Sequence, residues 1–287
     1  MLQVIISPAK QMRVEADAFA PRGIPPFPEK TEQLVRELRR IECEQGPSGL
    51  KSLWSVNDKL LSENIERLHN FASVLDECDL ENTTIARLVG PAVFSYVGIQ
   101  YRSMAPDVLD LDALDWLQEH LWVLSALYGC VRPFDAVQPY RLEMAAKLSV
   151  ESARDLYAFW GADIARVVCG VDERGGANAS GDAPAFAIQP TTVINLASVE
   201  YAKAVLPHLP AHATSVTCIF GEDLRNGRPV QRATASKIAR GSMVRWMSEH
   251  SVEDPGALTQ FDIGYAFAPE FSQTDDARSK TLVFMKR

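Results

Sequence analysis

The densest group of chemically active side chains in the sequence is cationic. Between Arg225 and Arg245 stand six basic residues and no acidic one. The end of this segment predicts a helix over residues 235–250, on which Lys237, Arg240 and Arg245 fall within an arc of about 140°. Such a face is typical of a solvated surface helix or of a site for an anionic partner. Because like charges placed together cost stability, we favour the anionic partner.

A second group of charged residues lies in residues 125–144. Arg132, Asp135, Arg141 and Glu143 stand there among aromatic residues and two prolines. Proline stiffens irregular backbone, and rigid loops commonly carry binding residues. These residues are therefore candidates for ligand binding. The structural alternative is a network of arginines and carboxylates that braces the loop.

Two further candidates follow predicted strands. Lys10 comes just after an apolar strand at residues 2–7, the usual position of a ligand-facing group in α/β proteins. The turn from Asn195 to Ser198 precedes a helix that carries Tyr201 and Lys203, and the backbone N–H groups of this turn could hold a phosphate. Ser198 acting as the N-cap of that helix explains the turn equally well.

The elements that must position these residues alternate irregularly between helix and strand. Apolar periodicity predicts helices over residues 29–44, 57–69 and 152–168, and residues 83–96 have the outline of a helix, a tight hairpin at Gly90-Pro91 and a second helix. Strands are predicted at residues 2–7, 191–198 and 281–287, with a hairpin whose tip is Asn226-Gly227. This order lacks regular βαβ alternation, so we predict one mixed α/β domain over residues 1–287 that is not doubly wound. Residues 170–187 have the composition of a surface loop insertion.

Composition limits the class of protein. The chain has 287 residues, of which 47% are hydrophobic and 23% are charged, as in ordinary globular proteins. Its apolar stretches are too short for a membrane span, its start differs from a signal peptide, and its five cysteines show no disulfide or zinc-ligand pattern. We therefore expect a cytoplasmic protein with no membrane partner, no metal and no cofactor. The common glycine-rich nucleotide-binding loops do not occur in the sequence.

The distribution of charge matters more than its total. The net charge of −8 argues against a nucleic-acid partner, because phosphate binding depends on cationic side chains. However, nine acidic and two basic residues between Asp76 and Glu119 account for −7 of that total. The rest of the chain is close to neutral and residues 225–245 are strongly basic. A local basic field can therefore still attract an anion.

Seven ordered segments together resemble the YaaA family of peroxide stress proteins over essentially the whole chain. They are ISPAK (residues 6–10), NDKLLSENIERLHNF (57–71), LYGCVRPFDAVQPYRLEM (127–144), DLYAFW (155–160), VINLASVEYAKAV (193–205), SKIARGSMVRWM (236–247) and LVFMKR (282–287). The resemblance implies one α/β domain of unusual topology with a basic cleft and a helix-hairpin-helix element. It also implies double-stranded DNA binding, protection and repair under hydrogen peroxide, and lowering of free intracellular iron. In the candidate hairpin, residues 85–98, Pro91 departs from the family pattern because it removes an N–H donor.

Two functions of different classes follow. In the first, the protein binds DNA independently of sequence, and its phosphate-binding cleft is lined by Lys10, Lys59, Arg102, Arg132, Arg141, Lys237, Arg240 and Arg245. In the second, it is an enzyme that acts on a small anionic or nucleotide-like substrate, with Lys10, Tyr140 and Glu143 as candidate acid–base or nucleophilic residues. No nucleophile–base pair can be identified from spacing, so no catalytic residue is assigned and a role without catalysis is favoured. A narrow pocket with Lys10 and Glu143 within hydrogen-bond reach would favour the second function, and an open groove as wide as a duplex the first.

Overall fold

The computed structural model describes residues 1–14, 19–171 and 190–287. The helices in these ranges are α1 (Pro28–Trp54), α2 (Asp58–Asn70), α3 (Thr83–Ala86), α4 (Ala92–Ser95), α5 (Ile99–Met104), α6 (Leu111–His120), α7 (Leu156–Trp160), α8 (Asp163–Val168), α9 (Val199–Ala202) and α10 (Ala233–Glu249). The strands are β1 (Leu2–Ile6), β2 (Gln11–Met12), β3 (Gly90–Pro91), β4 (Tyr96–Val97), β5 (Leu121–Ser125), β6 (Gly129–Val131), β7 (Ala136–Val137), β8 (Thr191–Asn195), β9 (Ala213–Gly221), β10 (Asp223–Arg225), β11 (Arg228–Val230), β12 (Tyr265–Phe267), β13 (Gln273–Asp276) and β14 (Ser279–Lys286). None of the helices in this part of the chain is long and apolar enough to cross a membrane.

A mixed sheet of eight strands forms the centre of the protein. Its order is β12-β14-β9-β8-β1-β5-β6, with β13 beside β14. The strands from β14 to β5 are parallel, and β6, β12 and β13 join antiparallel. β1 is buried along its whole length, and Val4 lies opposite Leu121 of β5 and Ile194 of β8. The prediction of a mixed α/β protein is confirmed.

The position of β1 in this sheet determines where a ligand can bind. From β1 the chain passes to β5 on one side, and later to β8 on the other side. In α/β sheets a crevice opens at the carboxyl end of the strand from which neighbouring connections lead in opposite directions. The residues that follow β1 therefore face a natural binding position.

Elements with strong local signals form where the sequence predicts them. The hairpin of β10 and β11 turns at Asn226 and Gly227, whose φ angles of 52° and 72° are those of a two-residue hairpin turn. Helix α2 begins after Asn57, whose side chain accepts a hydrogen bond from the Leu60 N–H at 3.0 Å. The basic helix is α10, and its apolar side, including Met243, is buried.

Two predicted helices have different bounds in the structure, and each of the observed helical segments is interrupted at a glycine. The helix predicted over residues 29–44 continues as α1 to Trp54, with a break at Gly46, where φ is 66° and ψ is −172°. The helix predicted over residues 152–168 forms as α7 and α8, separated at Gly161 with φ 51°. A positive φ is easily adopted by glycine, and in residues 152–168 apolar periodicity that continues across Gly161 hides the break.

The outline of helix, tight hairpin and helix predicted for residues 83–96 forms only in part, because the tight hairpin is wrong. This segment holds only the four-residue helices α3 and α4, and between them Gly90 and Pro91 form β3, which pairs with β7. Gly90 and Pro91 are buried, so the hairpin presents no exposed N–H groups to a phosphate. Tertiary pairing with residues 136–137 overrode the local turn signal. Most of the predicted loop insertion at 170–187 lies outside the described residues.

Helix α10 packs closely against α5, and the contact depends on Gly241. A Cβ atom at position 241 would lie 2.0 Å from the backbone oxygen of Gln100 and 3.0 Å from the Cβ of Ser103. No side chain fits there, so glycine permits the two helices to approach. This contact sets the distance between the basic helix and the residues at the start of α5.

We expect the substitution Gly241→Ala to destabilise the protein by on the order of 3 kcal/mol, because α10 must move away from the Gln100 carbonyl. Helix propensity alone predicts the opposite sign, a gain of about 1 kcal/mol. Urea unfolding measures the difference, with Ser242→Ala on the next residue of the same helix as the control, expected to stay within about 0.5 kcal/mol of the parent. A Gly241→Ala protein as stable as the parent would contradict the close contact.

Candidate functional site

A cavity of about 480 Å³ opens at the carboxyl end of β1 and is called the β1 cavity below. Its walls are the loop of residues 7–11 after β1, residues 97–101 at the start of α5, the loop of residues 140–143, the start of α9, and α10. A larger cavity of about 780 Å³ lies between the loop of residues 24–28 and α8, but none of the predicted site residues lines it. The β1 cavity is therefore the candidate site.

Hydrogen bonds at Ser7 fix the mouth of this cavity. The Ser7 carbonyl oxygen accepts hydrogen bonds from the Gln100 side chain at 3.2 Å and from the Tyr101 hydroxyl at 3.0 Å. The Ser7 hydroxyl oxygen accepts one from the Ser198 backbone N–H at 2.8 Å. The turn before α9 is a candidate phosphate site from the sequence. Its Ser198 N–H is hydrogen-bonded to Ser7, so this bond joins the ends of β1 and β8 and does not serve a phosphate.

Three charged side chains meet on one wall of the cavity. Lys10 Nζ lies 2.7 Å from Glu143 Oε1, and Arg141 Nη2 donates a hydrogen bond to the same oxygen at 2.5 Å. The Arg141 side chain is 11% exposed, whereas that of Lys10 is 69% exposed. One carboxylate therefore serves two cations and holds both at the cavity, the buried one more rigidly.

Lys237 and Arg240 form a second wall of the cavity, on α10, and are held differently. Lys237 is exposed, while Arg240 is half-buried on α10. Among the residues that the structure describes, no hydrogen bond or ion pair reaches the Arg240 guanidinium, and its Nε atom is buried without a partner. Burial lowers the pKa of Arg240 below its ordinary value. Since buried cations are normally paired, this guanidinium is notable for having no anionic partner among the described residues.

Tyr140 lines the cavity, but its hydroxyl group is directed into the core. The Tyr140 hydroxyl lies 2.7 Å from the Ser125 hydroxyl and 3.4 Å from that of Tyr96. Burial raises the pKa of Tyr140 above its ordinary value. These contacts make Tyr140 part of a buried network and leave Lys10 and Glu143 as the polar candidates at the cavity surface.

Four of the eight predicted cations do not line the β1 cavity. Lys59 lies exposed on α2 and Arg102 lies exposed on α5. Arg132 packs its guanidinium 3.7 Å from the centre of the Trp122 ring and donates to the Glu119 carbonyl at 2.8 Å, so it braces the loop. Arg245 is paired at 2.8 Å with the carboxylate of residue 249, one turn further along α10.

Glu200 also lines the cavity and was missed in the sequence. Its Oε1 atom accepts a hydrogen bond from the Ala145 backbone N–H at 3.0 Å, which ties α9 to the segment just after the loop of residues 140–143. A glutamate in the first turn of a helix is usually explained by the helix dipole, so the local pattern carries no functional signal. Gln100 was missed for a similar reason, since only the tertiary contact with Ser7 reveals its role.

Comparison with known proteins identifies the family. Residues 2–271 match the family model described as peroxide stress protein YaaA. The chain belongs to the YaaA family. It is 37% identical over 286 residues to a UPF0246 protein of Desulfitobacterium hafniense, covering 99% of this chain and 98% of that protein. Similar figures hold for UPF0246 proteins of Lactiplantibacillus plantarum (36% over 284 residues) and Pediococcus pentosaceus (37% over 286 residues), with the same coverage of both chains.

The effect on iron that the YaaA family resemblance implies stays a prediction. Within residues 1–14, 19–171 and 190–287, no group of three or more histidine, cysteine, aspartate or glutamate residues could hold a metal ion.

In this YaaA-family protein Asp135 provides a test of the braced loop. Its carboxylate accepts a hydrogen bond from the Arg132 N–H at 2.7 Å, and burial raises its pKa from 3.8 to about 7. A raised carboxyl pKa means that the folded state binds the proton more tightly, so stability is lost as the pH rises from about 4 to about 7. Because one pKa unit corresponds to about 1.4 kcal/mol, the loss is at most about 4 kcal/mol.

We expect Asp135→Asn to remove this loss while leaving the carbonyl acceptor in place. Urea unfolding at several pH values between 4 and 8 measures the free energy of unfolding of parent and variant. As the pH rises from 4 to 8, the free energy of unfolding of Asp135→Asn should increase relative to that of the parent. Parallel curves would show that Asp135 does not titrate there.

Proposed function

We propose that the β1 cavity binds a small anionic ligand. The observation that carries this proposal is Arg240, a half-buried guanidinium on the cavity wall that no described residue pairs with. An unpaired buried cation is costly, and an incoming phosphate or carboxylate removes that cost by forming charge-assisted hydrogen bonds. Lys237 on the same wall adds a second, exposed positive charge.

The size of the cavity supports a small ligand. Its volume of about 480 Å³ lies within the roughly 300–1,000 Å³ of pockets that hold a small molecule. A duplex needs a far larger surface, since DNA interfaces bury about 1,000–2,500 Å² of protein. A small substrate is expected to go with Lys10 and Glu143 within hydrogen-bond reach, and a duplex with an open groove. The contact of 2.7 Å between Lys10 and Glu143 therefore supports the small ligand.

The geometry supports binding and assigns no reaction. The Lys10 amine faces a carboxylate, and the Tyr140 hydroxyl is engaged in the core. Neither is placed as a nucleophile beside a free base. The sequence also suggests an enzyme in this cleft. Of that hypothesis we therefore propose the ligand site and no reaction.

Substitution of Arg240 tests the proposal. Isothermal titration of the parent with inorganic phosphate, pyrophosphate and AMP in low salt should show binding of at least one of these anions. Arg240→Gln should weaken that binding at least thirtyfold, because loss of a buried charged partner costs about 2–5 kcal/mol. Arg245→Gln, the same change on the same helix at a residue already paired with Glu249, should bind like the parent. Absence of binding to all three anions would refute the proposal, as would unchanged binding by Arg240→Gln.

A second candidate function, sequence-independent DNA binding as part of the peroxide stress response, is favoured by the β10–β11 hairpin. Arg225 and Arg228 are directly opposite each other in this hairpin, both exposed, with no ion pair to any described residue. Like charges opposite each other in a hairpin are destabilising, and a polyanion would offset this cost. Arg232 adds less, since it contacts Glu222 at 3.2 Å and Asp223 at 3.0 Å.

We expect the double variant Arg225→Gln/Arg228→Gln to weaken DNA binding equally on every sequence. The slope of log affinity against log salt should become smaller by about 0.9 for each phosphate that the variant no longer neutralises. Gel shifts at several salt concentrations measure this slope. The control is Arg36→Gln/Arg40→Gln on α1, which changes the net charge equally. Equal slopes for the two double variants would exclude the hairpin as a DNA-binding element, without bearing on the cavity.

A further inference from the structure

We infer that the ligand of the β1 cavity is a nucleoside monophosphate, with its phosphate at Arg240 and its sugar at Glu143. The inference rests on the proposed anion binding and assigns the chemistry of the two ends of that ligand. It follows from a difference between the two charged walls. One wall is cationic, with Lys237 and Arg240. The other is balanced, because two cations, Lys10 and Arg141, lie there with two carboxylates, Glu143 and Glu200.

The charge of the lining fits one phosphate monoester. The lining has four cations, Lys10, Arg141, Lys237 and Arg240, and two carboxylates, Glu143 and Glu200, which leaves a net charge of +2. A phosphate monoester has a charge of about −1.5 to −2 at neutral pH. A triphosphate would leave the cavity with an excess of negative charge next to two carboxylates, which is unfavourable because like charges repel.

The cationic wall is the phosphate end. Neither Lys237 nor Arg240 has a carboxylate within ion-pair distance among the described residues, so both are available to phosphate oxygens. The planar guanidinium matches two oxygens of one phosphate, and the lysine amine supplies a point charge beside it. On the other wall, Lys10 and Arg141 are already paired with Glu143, and the negative charge of Glu143 repels a phosphate.

The balanced wall is the sugar end. The contacts of Lys10 and Arg141 both fall on the Oε1 atom of Glu143, and in the described part of the chain no hydrogen bond reaches Oε2. A carboxylate oxygen only accepts hydrogen bonds, and sugar hydroxyl groups are donors that pair with it without adding charge. The two cations orient the carboxylate and limit its rotation. Glu143 is therefore suited to a neutral, hydroxyl-bearing group.

Apolar side chains complete the fit to a nucleoside. The lining also includes the apolar residues Pro8, Val97, Ile99 and Leu142 and the largely buried rings of Tyr101 and Tyr201. A nucleobase presents flat apolar faces that bury favourably on such surfaces. The cavity volume of about 480 Å³ accommodates one such molecule.

The test compares ligands on the parent protein by isothermal titration, so it does not depend on the folding of a variant. AMP and ribose 5-phosphate should each bind at least tenfold more tightly than inorganic phosphate, AMP at least tenfold more tightly than adenosine, and ATP no more tightly than AMP. Inorganic phosphate that binds as tightly as AMP would overturn the sugar end, and ATP binding more tightly than AMP would overturn the monophosphate assignment. In both cases anion binding at Arg240 would still stand.

Variants at each wall give a second, independent readout. Glu143→Gln should weaken binding of AMP and ribose 5-phosphate at least fivefold and should not weaken binding of inorganic phosphate, because the change removes a negative charge that repels phosphate. Arg240→Gln should weaken binding of all three. Arg245→Gln is the matched control, and thermal melting establishes that each variant is folded. Equal weakening of phosphate and AMP by Glu143→Gln would overturn the separation of the two ends.

Discussion

The contact between Gly241 of α10 and the Gln100 carbonyl of α5 underlies the geometry of the site. Because residue 241 lacks a side chain, α10 lies close to α5, and the Gln100 side chain in turn donates to the Ser7 carbonyl after β1. One chain of contacts thus links the basic helix to the end of the central strand. Lys237 and Arg240 precede Gly241 by about one turn or less, so their place on the cavity wall follows from this packing.

Positive and negative side chains are concentrated in different parts of this molecule. The chain has a net charge of −8, yet the cavity lining is positive, and the acidic helix α6 packs against the basic helix α10. Within the cavity, Glu143 compensates Lys10 and Arg141, while Arg240 is compensated by no described residue. The same residue type therefore stands in two environments that depend on its neighbours: a paired arginine orients a carboxylate, and an unpaired one is the group on which the proposed anion site rests.

Parts of the fold with a complete local signal could be predicted from the sequence. The apolar run of β1, the Asn226-Gly227 turn and the amphipathic pattern of α10 are examples, since each contains its own turn chemistry or periodicity. Prediction failed where tertiary contacts decided. The pairing of Gly90 with Val137 replaced the expected hairpin, and Gly161 divided a helix that apolar spacing made continuous.

The sequence by itself determined the family, the mixed α/β class and the residue types from which a basic site could be built. It did so because ordered motifs, strand composition and helix periodicity are properties of short segments. Only the tertiary structure decided which cations meet, since Lys10, Arg141 and Arg240 are brought together by the order of parallel strands and by one close helix contact. It also decided which cations are neutralised. Ion pairs between distant segments, such as that of Lys10 with Glu143, leave no spacing pattern in the sequence.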